Sequence, residues 1–392
     1  MKQQSGNQII SLPQPGSQRL ASLDALRGFD MLFIIGLSAL IISICNLFPG
    51  GGDCWLAVQM RHVGWDGLHH HDTIFPLFLF IAGISFPFSY ARQQAKGTPR
   101  LKIYLRIFKR ALVLVFLGLI CNGLLKFHFS DLRYCSVLGR IGLAWMFAAL
   151  LFINFRPSAR AVIAVVLLVG YWLLLRFVPA PDAPPGADPF SFEGNLVGYV
   201  DRCLFPGHLY KGDGGVFDPE GVLSTVPAIV TAMLGMFTGE WVRCSDARAT
   251  VGAKGISGGR KVLWMLAASA VMLTLGLLWS RWFPINKKLW SSSFVLVVGA
   301  YSLAMFAVFY WIIDVKGWKK WAFPLVVVGM NSIAIFMFPR IIDFRYATNF
   351  FLEGLCGLMS PEWGKVVWNL GFLTLGWLFL YFLYKKKIFL KV

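Results

Sequence analysis

Across 392 residues the chain is 57% hydrophobic and only 14% charged, with a formal net charge of +18, whereas ordinary globular domains carry about 25% charged residues. A mean hydropathy of +0.64 with 15 Trp and 35 Phe excludes a disordered chain, a soluble two-domain enzyme and a disulfide-rich secreted scaffold. What remains is an all-α, polytopic membrane protein.

A spanning helix needs about 20 mostly apolar residues. Ten segments meet that requirement in chain order: 29–48, 73–90, 107–125, 137–153, 159–177, 223–242, 261–280, 291–313, 322–338 and 365–384. Residues 1–28 are polar and contain no short apolar run ending in a small-residue cleavage site, so the first span is expected to be retained. The chain divides into an N-terminal segment (1–28), a single transmembrane unit (29–384) with outward-facing loops, and a basic tail (385–392). The largest outer loop, 178–222, is rich in Pro and Gly and reads as irregular surface structure.

Counting Lys and Arg on alternate sides of these spans gives 24 with the two termini and 12 opposite, with Arg140 inside a span. The positive-inside rule then puts both termini in the cytoplasm. Three cations stand against the trend, Arg281, Lys287 and Lys288 in the 281–290 loop. The excess of basic residues is thus a signal of topology, and a nucleic-acid footprint becomes unnecessary. All six histidines fall on the outer side, so the titratable groups collect there. Seven cysteines show neither CxxC nor metal-ligand spacing. Cys54, Cys135, Cys203 and Cys356 lie where a disulfide is permitted, with no pairing specified.

Five stretches concentrate chemistry. RHVGWDGLHHHDTIFP at 61–76 gathers His62, Trp65, Asp66, three contiguous histidines and Asp72 just before a span. Its bland interpretation is an interfacial loop anchored by Trp65. Its sharper one is a general acid/base site, because a neutral histidine is suited to moving protons near pH 7. No metal is expected, since contiguous side chains diverge. Asp24, Arg27 and Asp30 recur every three residues on one helix face at the cytoplasmic mouth, either as a neutralised helix start or as a seat for a charged ligand. Arg140 needs an anionic partner, which is either a nearby acid or a phosphate or carboxylate ligand. Asp218 and Glu220 stand at the outer mouth of the sixth span. Asn46, Asn122 and Asn331 are either helix–helix contacts or polar lining of a path.

Together these blocks resemble one family. SLDALRGFD (22–30), HVGWDGLHHHDTIFPLFLF (62–80), VLGRIGLAW (137–145), DPEGVLSTVPAIV (218–230) and GMNSI (329–333) are similar, in order, to the transmembrane acetyl-CoA:α-glucosaminide N-acetyltransferases. The resemblance implies that His62 is the active-site histidine, that Asp72 is its acid, and that Asn46 is the asparagine of the loop before the Gly triplet. It also implies transfer of acetyl from cytosolic acetyl-CoA, as co-substrate, to the amine of a glucosamine-type sugar on the outer side of a cell inner membrane. Arg27 and the basic 91–110 loop are expected to attract the CoA phosphates, with Arg140, Asn122 and Asn331 along the path. Trp65, Asp66, Asp218 and Glu220 are expected to face the acceptor. The bilayer and the two substrates are the expected partners, nucleic acid is not one, and a pairing of two copies is left open. Two other functions remain compatible with the residues: an amino-sugar permease, and acyl transfer to another cell-envelope glycan.

Overall fold

A computed structural model describes residues 20–250, 256–341 and 343–390. Residues 1–19 with Lys2 and Arg19, residues 251–255 with Lys254, and Lys391 of the tail lie outside the described residues. Every element among the described residues is helical, as the composition requires. Eight helices are long and apolar enough to cross a membrane.

The helices in chain order are α1 (Ala21–Cys45), α2 (His70–Ala95), α3 (Arg100–Cys121), α4 (Val137–Asn154), α5 (Pro157–Phe177), α6 (Val222–Thr250), α7 (Gly258–Trp279) and α8 (Ser292–Val315), of which all but α3 are among those eight. They are followed by α9 (Phe323–Met330), α10 (Ser332–Ile341), α11 (Phe344–Gly357) and α12 (Pro361–Lys385), and α12 is the last of the eight. Three departures from the sequence expectation have physical causes. α1 begins at Ala21, not at 29, because Asp24 and Asp30 are buried in the bundle and their charge does not end the helix. α3 carries five cations between Arg100 and Arg110, so only its second half is apolar enough for a bilayer core. The segment at 322–338 is a pair of short helices, α9 and α10, bent by 72° at Asn331. Apart from these, the 339–364 stretch between the last two expected spans contains α11, which packs against α12.

Two contacts without side chains set the bundle axis. A Cβ at Gly83 would overlap the carbonyl of Ala232, and one at Gly235 would overlap that of Phe80, so α2 and α6 meet backbone to backbone. Gly28 and Gly329 do the same for α1 and α9. Small residues at membrane helix crossings let backbones approach this closely. Burial grades outward from that axis: 72% of the apolar window of α2 is enclosed, against 17% for α7 and α12. α2 therefore forms the protein interior, while α7 and α12 turn apolar surface such as Leu263, Trp264 and Phe382 outward. The 178–222 loop is better ordered than its Pro and Gly content suggests. Asn195 caps a short helix, Leu196–Leu204, and Phe190, Val197 and Phe217 pack with Phe283 and Leu289 of the 281–290 loop.

Candidate active site

The site forms where α2 begins. Asp72 occupies the first turn of α2, where a carboxylate is favoured by the free amides and dipole of a helix N-terminus. Its Oδ2 accepts hydrogen bonds from the amides of Val63 (3.1 Å) and His69 (3.2 Å). Its Oδ1 lies 2.6 Å from His62 Nδ1 and 3.2 Å from Lys287 Nζ. Asp72 is 1% exposed while the His62 side chain is 57% exposed. The carboxylate thus fixes both the chain before α2 and the imidazole. With Nδ1–H donated to Asp72, Nε2 is the ring nitrogen left to accept a proton.

Lys287 is the residue that sequence reasoning missed. Its Nζ stands 3.1 Å from His62 Nδ1 as well as beside Asp72. Burial lowers its ammonium below the usual lysine range, and the Asp72 charge opposes that shift. The 281–290 loop holds it rigidly. Ser291 Oγ accepts from the Asn286 amide at 3.0 Å and donates to the Pro284 carbonyl at 2.7 Å, and Tyr171 donates to the Leu289 carbonyl at 2.6 Å. The available signal was topological, for this loop carries the cations that break the charge pattern.

The three contiguous histidines diverge as their spacing requires. His69 Nδ1 donates to the Arg61 carbonyl at 3.0 Å. The His70 ring packs against Phe33 and Tyr301. His71 returns to the dyad, with its ring centroid 4.5 Å from that of His62 and its Nδ1 3.0 Å from Ser38 Oγ.

A second charged cluster supports the same end of the bundle. Arg133 clamps Asp218 through Nε (2.8 Å) and Nη2 (2.6 Å), and Nη2 also bonds Glu220. These carboxylates hold the Arg133 guanidinium well above its ordinary range despite its burial. Asp218 and Glu220 are therefore ion-paired rather than open to solvent. Arg140 sits in the first turn of α4, beneath the Ser136 cap. Its Nη2 bonds Ser224 Oγ and the Gly221 carbonyl, its guanidinium lies 5.0 Å from the Trp290 ring, and its Nε and Nη1 have no hydrogen-bond partner. It feels Glu220 and Asp218 electrostatically without a direct ion pair. It belongs to the His62 end of the molecule.

The remaining expected residues are scattered. Asn46 ends α1 and lies against Gly52, and no hydrogen bond links it to His62 or Asp72 among the described residues. Asn122 donates its amide to the carbonyls of Arg133 and Cys135, so it braces the loop after α3. Asn331 ties the α9–α10 break to Ile388 and Leu390 of the chain end. Trp65 donates to the Phe190 carbonyl at 2.8 Å, and Asp66 beside it is exposed. Cys45, Cys54, Cys121, Cys135, Cys203 and Cys356 are free thiols.

The opposite end of the bundle is basic. A cavity of about 790 Å³ between α2 and α3 is lined by Arg92, Lys96, Arg106, Lys109 and Arg110, with the Arg110 guanidinium 4.1 Å from the Trp145 ring. It shares Ser85 and Arg110 with a narrower space of about 180 Å³ that Arg27 also lines. That space in turn shares Phe78, Leu138 and Ile141 with an apolar crevice ending at Phe75, one turn along α2 from Asp72. Successive cavities thus lead from the basic end toward the dyad and stop at Phe75, one turn of α2 short of Asp72.

No family model matches the chain. It is similar to heparan-α-glucosaminide N-acetyltransferase of Mus musculus, at 28% identity over 426 aligned residues covering 96% of this chain and 61% of the relative. The Homo sapiens protein of the same name matches at 28% identity over 421 residues, covering 95% of this chain and 60% of the relative. The chain spans about three fifths of the length of these relatives. The likeness runs along nearly the whole chain and bears out the family resemblance carried by the five sequence blocks.

Proposed function

With that family likeness as the premise, we propose that the protein is a transmembrane N-acetyltransferase that moves acetyl from cytosolic acetyl-CoA to the amine of a glucosamine-type sugar on the outer face of the cell inner membrane. The observation that carries this reading is the His62–Asp72 pair, 2.6 Å apart, one helical turn beyond Phe75, where a line of cavities begins that ends among cations at the opposite face. A charged CoA cannot diffuse through a bilayer, so a site that uses it from the far side needs such a passage. The Arg92–Arg110 cluster suits the CoA phosphates, since guanidinium groups bind phosphate through paired hydrogen bonds. Arg27 and Arg110 flank the constriction that the pantetheine arm would enter.

At the outer end His62 Nε2 accepts a proton from the sugar amine as its nitrogen bonds to the thioester carbonyl carbon. The C–S bond then breaks, and the imidazolium returns that proton to the departing sulfur, so amide and free thiol form together. Asp72 orients the ring and steadies its charged form. Asn46 is the remaining candidate for an amide donor to the carbonyl oxygen, because the Asn331 amide is engaged by Ile388. Purified protein given radiolabelled acetyl-CoA and glucosamine should form labelled N-acetylglucosamine, and His62→Ala should abolish most of it. Uptake of glucosamine by vesicles with no acetyl incorporation would identify a permease instead.

A further inference from the structure

Beyond the dyad, on the same face, lies a cavity of about 780 Å³ that the chemistry above does not use. It falls within the roughly 300–1,000 Å³ of sites that enclose a small organic ligand. Three indoles, Trp65, Trp172 and Trp282, line it together with the polar groups Asp66, Asp188, Arg176 and Arg281. Broad aromatic faces interleaved with carboxylates and guanidinium groups match a sugar, whose C–H faces stack while its hydroxyls exchange hydrogen bonds at the rim.

Two strands of chain run from this cavity to the dyad. One goes from Trp65 and Asp66 back to His62. The other goes from Pro284 to Lys287, and the two are stitched where the Gly67 amide donates to the Ile285 carbonyl at 2.9 Å. A ligand in the cavity is therefore held a few residues from the reacting nitrogen on a braced wall. The two carboxylates and two guanidinium groups balance, so the wall has no net charge and does not suit a polyanion.

We propose that this cavity is a second sugar subsite, and that the acceptor is an oligosaccharide without sulfate groups. Its amine-bearing terminal unit stands at His62, and its following units lie across Trp65 against Trp282. This deepens the N-acetyltransferase reading and rests on it.

Calorimetric titration of the full chain in detergent, with glucosamine and with a glucosamine trisaccharide, tests the subsite without any turnover. The trisaccharide should bind at least about tenfold more tightly, the contribution of one good aromatic contact at about 1.4 kcal/mol per tenfold. Trp282→Ala should erase that gap, Trp282→Phe should keep most of it, and Arg281→Ala should narrow it. Trp282 is 63% exposed, so its removal spares the core. Equal affinities in the unaltered protein, or a gap untouched by Trp282→Ala, would overturn the subsite. So would a variant that changes only the lipid copurifying with the protein, since that would make the cavity a headgroup seat. A persistent gap in binding without acetyl transfer would instead overturn the enzymatic reading and leave the subsite standing.

Discussion

Replacing Lys287 by Met removes one positive charge from the His62–Asp72 pair at nearly constant side-chain volume. The Nζ is 3.1 Å from His62 Nδ1 and 3.2 Å from Asp72 Oδ1. Since Nδ1–H is donated to Asp72, the ammonium can donate only to the carboxylate, and its proximity to the ring is repulsive once the ring is charged. Unit charges at that separation interact by about 5 kcal/mol in an effective dielectric of about 20. The His62 side chain is 57% exposed, and solvent screening cuts the effect on the imidazolium to about 1–2 kcal/mol. Lys287 therefore opposes the imidazolium that forms during transfer. Lys287→Met should raise kcat by up to about 5- to 30-fold, the equivalent of that 1–2 kcal/mol at about 1.36 kcal/mol per tenfold, with KM for acetyl-CoA unmoved. Initial rates of acetyl transfer at saturating substrates measure this directly, and Lys287→Arg should stay within about twofold of the unaltered protein. A Lys287→Met rate that is lower than that of the unaltered protein, or within about twofold of it, would refute the electrostatic role and leave Lys287 a brace for its loop.

Asp72→Asn keeps the acceptor for the Val63 and His69 amides but withdraws the charge that steadies the imidazolium, so kcat should drop by about 10²-fold or more while the protein remains folded; a loss no larger than twofold would remove Asp72 from the mechanism. Arg27→Ala or Arg110→Ala should raise KM for acetyl-CoA by about 10- to 100-fold, the worth of one charge-assisted contact to phosphate, and leave KM for the amine unchanged. Equal loss for both substrates would mark these arginines as structural. Asp201 offers a pH test of stability. It is fully buried, its Oδ2 has no partner, and burial raises its carboxyl to about 7. A folded-state value above the unfolded one means that its contribution is intact below about pH 4 and is lost as pH rises through about 7, at a cost of at most about 4 kcal/mol. Asp201→Asn should melt higher than the unaltered protein at pH 8 and equally at pH 4, as followed by a thermal shift in detergent; parallel curves would show that the Asp201 carboxyl titrates alike in the folded and unfolded chains and that burial does not raise it.

Much of the fold was legible because the membrane imposes one demand, about 20 apolar residues per crossing. The limits appear where charge enters a helix. Asp24 and Asp30 are buried within α1, and the Arg100–Arg110 cations lie within α3, so hydropathy alone misplaced one helix start and overstated one span. The break at Asn331 was likewise hidden inside a continuous apolar run. At the site, His62 and Asp72 were legible because a helix start brings residues ten apart to one carboxylate. Lys287, 215 residues from Asp72, was not legible, because local pattern carries no information about which loop folds over which helix. Arg133 was concealed for the same reason, and its pairing turns Asp218 and Glu220 from exposed acids into a clamp. Asn122 and Asn331 looked like lining and serve backbone carbonyls instead, the commoner fate of a buried amide.

The central claim is that acetyl crosses the bilayer through this chain, and sided proteoliposomes test it most directly. With radiolabelled acetyl-CoA sealed on the face that carries the Arg92–Arg110 cavity and glucosamine supplied only on the His62 face, labelled N-acetylglucosamine should accumulate on the His62 face. His62→Ala vesicles should hold the same amount of protein and produce almost none. Product found only on the face that holds acetyl-CoA, or undiminished in the His62→Ala vesicles, would contradict the account.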